Sequence, residues 1–202
     1  MQRSRAPDEA MPAVFHLVAI GASAGGLPAL VTILAHLPGD FPLPIALVQH
    51  IDPNHVSLIP EILGRRTALA VKSAEDGDVI TAGVVYVAPP GRYLEVGDGG
   101  TIALTDGTPV RFLRPSANRL FESAAHALGP IIGVVLTGTG SDGTDGARAI
   151  RAAGGLVIAQ DEASSAFFGM PHAAIDAGVV DRVLALGDIA GALQELAEAP
   201  SP

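Results

Sequence analysis

Short apolar runs, each followed by a stretch with helical spacing, recur along this chain, and no other feature constrains its fold as strongly. "VFHLVAI", "PIALVQH", "IIGVVLTG" and "GLVIAQD" are nearly continuous in apolar residues, as strands are when both faces of a sheet are covered. "LPALVTILAHL" reads as a helix with Pro28 in its first turn, where the missing N–H costs nothing. "VSLIPEILGRR", "ANRLFESAAHAL", "TDGARAIRAAG", "HAAIDAG" and "DIAGALQELAEA" read as further helices. In "ANRLFESAAHAL", Leu120, Phe121, Ala124 and Leu128 share one face, and Ser116 stands where an N-cap would. This alternation predicts an α/β fold: a doubly wound, mainly parallel, Rossmann-like sheet with helices on both faces. The pieces "ALAVKS", "VVYVAP", "RYLEVG" and "TIALTD" add strands, with a short antiparallel hairpin at "GDGG".

A chain of 202 residues fits one large domain. We expect a loose polar arm at 1–13 and a single domain over 14–198. With 49% hydrophobic and only 16% charged residues, the chain is too apolar to be disordered. A net charge of −9 argues against nucleic acid as a partner, because no basic patch exists to release counterions. The absence of cysteine removes disulfides, thiol catalysis and thiolate metal sites. No apolar run approaches the roughly 20 residues that span a bilayer. The N-terminus has early arginines, an apolar stretch and Ala22-Ser23-Ala24 as an A-x-A site, so a signal peptide competes. Against it stand Asp8, Glu9 and His16, and cleavage would delete a strand that the pattern needs. The expected location is the cytoplasm.

In doubly wound sheets, ligands bind outside the carboxyl ends of the strands, so the residues just after each strand carry the functional question. After the first strand, Gly21-Ala22-Ser23-Ala24-Gly25 matches G-x-S-x-G. Gly25 and Gly26 can take positive φ and admit another backbone closely, and the nearby helix N-terminus favours a developing anion. Ser23 fits a nucleophile and an N-cap equally well from this match alone. The second strand ends in "VQHIDPNH", which places His50 at the same edge, with His55 a weaker candidate. Serine is a poor nucleophile until an adjacent base takes its proton. His16, His36, His126 and His172 lie within or beside apolar patterns and read as structural; His36 could complement a helix dipole. The third site is "LTGTGSDGTDGA", where Asp142 and Asp145 are each a potential N-cap or the carboxylate that orients a histidine. A calcium loop counted from Asp142 would need Glu where Ala153 stands, so no metal is expected. Nucleotide binding is disfavoured too, since no G-x-G-x-x-G follows the first strand and the sole lysine is Lys72. No cofactor is expected.

The stretches "IGASAGG", "VQHIDPNH", "VVYVAPPGRYL", "RPSANRLFESAA", "LTGTGSDGTDGARAIRAAGG" and "AQDEASSAFFGMPHAAIDAG" resemble, in order, the catalytic domain of chemotaxis receptor methylesterases of the CheB type. "DPNHVSLIPEILGRRTALAV" is most similar to the variant found beside methyltransferase domains. The resemblance implies hydrolysis of glutamate 5-methyl esters on chemoreceptors with release of methanol, often with glutamine deamidation. It implies Ser23 as nucleophile, His50 as base and Asp142, not Asp145, as the orienting carboxylate. Backbone groups at Thr139 and Ala24 would serve the oxyanion, and Gly25, Gly26, His55, Arg114 and Met170 are candidates to line the substrate site. Two departures stand out: the family commonly has Thr at the position of Ala24 and often Met at that of Thr139. A backbone donor survives either change. Family members usually carry an N-terminal receiver domain, for which the 13 residues before the first strand are too few. The expectation is therefore a lack of that control, a separate receiver or fused regulatory partner, or a domain cut from a longer protein. From a different class, a non-catalytic module that binds receptors or signalling partners is the competing reading.

Overall fold

The structure is a computed structural model, and it describes residues 15–52, 56–106 and 114–198. The expected arm at 1–13 lies outside the described residues, as does His55. Strand β1 (Val18–Ala22) leads into helix α1 (Gly26–Leu34), followed by β2 (Ile45–Gln49), α2 (Ile59–Gly64), β3 (Ala70–Ser73) and β4 (Val84–Val87). An antiparallel pair comes next, β5 (Tyr93–Gly97) and β6 (Thr101–Thr105), joined by a 3-10 turn at Asp98–Gly100. Then α3 (Ala117–Leu128), β7 (Ile132–Val135), α4 (Thr144–Ala152), β8 (Leu156–Gln160), α5 (Gly169–Asp176), β9 (Arg182–Leu184) and α6 (Leu186–Ala197) follow. The doubly wound α/β expectation and its hairpin are both present.

The main sheet has seven strands in the order β3-β4-β2-β1-β7-β8-β9, all paired in parallel. The chain starts in the middle, builds outward through β2, β4 and β3, then returns to β1 and builds the other way. Strand order therefore reverses between β1 and β7, which is where such sheets open a crevice at their carboxyl edge.

Alternation along β1 shows why its sequence is apolar throughout. Val18, Ile20 and Ala22 belong to a core with α1, α2 and α6, whereas Leu17 and Ala19 belong to one with α3, α4 and α5. Ile20, Leu30, Leu47 and Phe121 are fully buried, each worth about 1.5–3 kcal/mol of transfer free energy. Gly21 faces α3, and a Cβ there would stand 2.6 Å from the Cβ of Ala117. The missing side chain lets the N-terminus of α3 settle directly on the strand that carries the serine.

Candidate active site

Three strand ends meet at this edge. Ser23 follows β1, and its N–H donates to the carbonyl of Thr137, beyond the end of β7, at 3.0 Å. Ala22 is in register with Gln49, and the His50 N–H donates to the Ala22 carbonyl at 3.0 Å, so the parallel ladder sets the two backbones side by side. Among the described residues the His50 ring bonds Asp142, and no hydrogen bond joins it to Ser23 Oγ. Gly25 is the N-cap of α1 with φ 76°, a conformation that favours glycine; a Cβ there would also stand 2.7 Å from the Cβ of Ala166. Gly26 differs from expectation. It is the first helical residue and has no positive φ, but a Cβ on it would lie 2.1 Å from Oε1 of Gln49.

Asp142 sits in the turn between β7 and α4. Its Oδ2 accepts from His50 Nε2 at 2.8 Å and from the Ala117 N–H at 2.6 Å. Its Oδ1 accepts from Ser116 Oγ at 2.8 Å and from the Asn118 N–H at 3.1 Å. Burial, the largest influence on this carboxyl, pushes its pKa up; the bond to His50 and the N–H groups of Ala117 and Asn118 outweigh it and leave the pKa below the usual carboxylate range. An anion that only accepts requires His50 to present Nε2–H, which leaves the lone pair on Nδ1. Asp145 instead lies in the first turn of α4, where an acid suits the helix dipole, and is exposed and paired with Arg148.

The remaining candidates have definite places. Thr139 is exposed, in the turn after β7. The N–H groups of Ala24, Gly25 and Thr139 make no hydrogen bond among the described residues. They are available to an incoming acceptor, whereas the N–H groups of Ser23, Gly26 and Gly138 are bonded. Met170 is fully buried at the start of α5. A Cβ on Gly138 would stand 2.4 Å from its Sδ and 2.7 Å from the Ser23 Cβ, so Met170 packs under the turn beside the serine. Arg114 precedes Pro115 and Ser116 and donates from Nη1 to the Asp106 carbonyl at 3.0 Å. No group of three or more His, Cys, Asp or Glu residues that could hold a metal occurs among the described residues.

Buried polar side chains that the sequence reading passed over gather here as well. Thr137 Oγ1 donates to the Ala24 carbonyl at 3.0 Å and accepts from the Phe167 N–H at 2.9 Å, tying the serine turn to the segment before α5. Gln160, fully buried, accepts the Thr137 N–H at 2.9 Å. Asn118 Oδ1 accepts the N–H groups of Gly143 and Gly146, both at 2.9 Å. Gln49 donates from Nε2 to the carbonyls of Ser23, at 2.8 Å, and His50, at 3.1 Å. The buried polar side chains among the described residues are Gln49, Ser116, Asn118, Thr137, Asp142, Thr144 and Gln160, and all of them stand at or beside these three turns. A faint signal was available: β2 and β8 each end an apolar run in glutamine, an unusual residue to bury.

The sequence profile of the family described as CheB methylesterase matches residues 18–193. The chain is 47% identical over 196 residues to "Protein-glutamate methylesterase/protein-glutamine glutaminase 2" of Anaeromyxobacter dehalogenans, covering 96% of this chain and 57% of that protein. It is 43% identical over 185 residues to "Protein-glutamate methylesterase FrzG" of Myxococcus xanthus, covering 91% of this chain and 55% of that protein. The chain spans about half the length of the curated relatives it matches. The crystal structure of the Thermotoga maritima CheB methylesterase catalytic domain is similar to it with a TM-score of 0.86 and 36% identity, covering 90% of this chain and 98% of that one.

Proposed function

Since the chain belongs to the CheB methylesterase family, we propose that it is a serine esterase that hydrolyses glutamate 5-methyl esters on chemoreceptor proteins and releases methanol. Residues 14–198 form its catalytic domain in this reading. The observation that carries it is the His50–Asp142 pair. An anionic, four-times hydrogen-bonded carboxylate holds the imidazole by Nε2 at the strand end next to Ser23.

Ser23 Oγ attacks the ester carbonyl carbon while His50 Nδ1 takes the hydroxyl proton. The imidazolium that forms is stabilised by Asp142, then gives its proton to the departing methoxide, and methanol leaves. Water attacks the resulting acyl-serine by the same route, returning a free glutamate and a protonated Ser23. The N–H groups of Ala24 and Thr139 are the donors for the tetrahedral oxyanion. Both act through the backbone, so alanine and threonine serve at these positions as well as other side chains would. Gly25, Gly26, His55, Arg114 and Met170 are the candidates to line the site of the glutamyl side chain. A glutamine side chain offers an equivalent carbonyl with ammonia as the leaving group, so deamidation follows from the same steps.

Receptor methyl esters place this chemistry in the cytoplasm. No helix among the described residues is long and apolar enough to cross a membrane. The regulatory partner is a receiver or other domain, separate or fused, consistent with the greater length of the relatives. The test is methanol release from a methylated receptor. Ser23→Ala should remove at least about 10³-fold of kcat while leaving receptor binding intact. Unchanged release would sink the assignment.

A further inference from the structure

We infer that Gln49 is a positioning residue for the nucleophile: its side-chain amide ties the backbone of Ser23 to that of His50. The inference rests on the esterase reading of Ser23. Nε2 donates to the Ser23 carbonyl at 2.8 Å and to the His50 carbonyl at 3.1 Å, so one NH2 group spans the two turns that carry the nucleophile and its base. The Ser23 carbonyl also accepts the Gly26 N–H at 2.8 Å, which uses both of its lone pairs. With the Ser23 N–H bonded to Thr137, the peptide groups on both sides of the serine Cα are held. The side chain then has little freedom beyond rotation about Cα–Cβ.

The chemistry of the site selects an amide. Turned the other way, the amide would set its oxygen against two carbonyl oxygens, so the surrounding acceptors fix its orientation. A carboxylate would meet the same repulsion. Methionine would fill the volume with no donor. The opposite end of the side chain is equally particular, since Oε1 is buried without a partner and rests against Gly26, where any Cβ would collide with it. A buried acceptor without a donor is a cost to the fold. Its presence beside the serine fits a residue kept for the bonds at its other end.

The experiment compares Gln49→Met and Gln49→Glu with the unaltered protein, using a fluorophosphonate probe of Ser23, receptor kcat and KM, and hydrogen exchange of the 20–27 segment. The expected order of probe labelling rate at neutral pH is unaltered, then Met, then Glu. Met should lose about 10-fold to 100-fold in kcat with KM nearly unchanged, as a misplaced reacting group does. The segment should exchange about tenfold faster than in the unaltered protein, with α6 as internal reference. A space-filling role predicts the opposite order, with Glu near the unaltered protein because it is closer in shape. That order, or equal rates for all three, overturns the inference. Failure of both variants to fold overturns it also, by making the amide a requirement of the fold. If the unaltered protein resists the probe, the esterase reading fails; the exchange of the segment then decides the clamp by itself.

Discussion

Asp142 concentrates the physics of the site in one side chain. Its pKa is lowered although burial raises it, so the ionised form is stabilised by folding. A depressed carboxyl contributes stability above its unfolded pKa, about 3.9, and loses it as pH falls through the lower folded value. The unaltered protein should therefore lose stability below about pH 4 more steeply than Asp142→Asn, which has already lost the contribution; thermal unfolding across acid pH measures the two slopes. The same variant should lose about 10⁴ in kcat, since an amide turned to donate favours the wrong histidine tautomer. Activity within tenfold of the unaltered protein would contradict that. Strand ends and a serine motif mark Ser23 and His50 in the sequence, whereas Asp142 and Asp145 stand equal in their turn until the family resemblance chooses Asp142. The work of Ser116 is not marked at all. It does stand as the N-cap of α3 but makes no side-chain cap bond; its hydroxyl goes to Asp142. A residue 26 positions away takes over the helix N-terminus, and no local rule reveals that.

Helices α3 and α4 show the same long-range division of labour. Asn118, the second residue of α3, accepts through Oδ1 the N–H groups of Gly143, the N-cap of α4, and Gly146 in its first turn, while its own N–H holds Asp142. One residue thus caps a neighbouring helix and steadies the orienting carboxylate. Close approach is possible because Gly146 has no Cβ; one there would stand 2.5 Å from the Cβ of Phe121. Asn118→Ala should cost about 1–2 kcal/mol, the usual loss when a cap is removed, seen as a lower denaturant midpoint at unchanged slope. The kcat should fall further than any change in folded fraction explains, because the Asp142 turn loosens. An unchanged kcat would separate the cap from the chemistry. The apolar stripe of α3 was readable: Leu120, Phe121 and Ala124 are fully buried, while Leu128 is only partly buried against the same core. Its second role depends on which helix packs beside it, which periodicity does not encode.

For the molecule as a whole, alternating apolar runs and helical stretches suffice to imply a parallel, doubly wound sheet, whereas strand order is a different matter. Placing β4 between β2 and β3 reflects which edges pair, and the runs "ALAVKS" and "VVYVAP" look alike in this respect. Charge acts at this scale too. The protein carries a net −9, and Lys72, Arg92, Arg119, Arg148, Arg151 and Arg182 are each paired with a carboxylate. If the substrate is the glutamate-rich receptor proposed above, the net negative charge makes encounter run against a repulsive field. Raising ionic strength from 0.1 M to 1 M shortens the Debye length from about 10 Å to about 3 Å. The kcat/KM should then hold or rise modestly, through association, while kcat stays constant. Stopped-flow or initial-rate measurement over a salt series reads both. A steep fall would demand a local basic surface, and the structure offers one place to look. Arg65 and Arg66, just beyond α2, are exposed and lack an ion pair among the described residues; replacing both with alanine would then have to abolish the salt dependence.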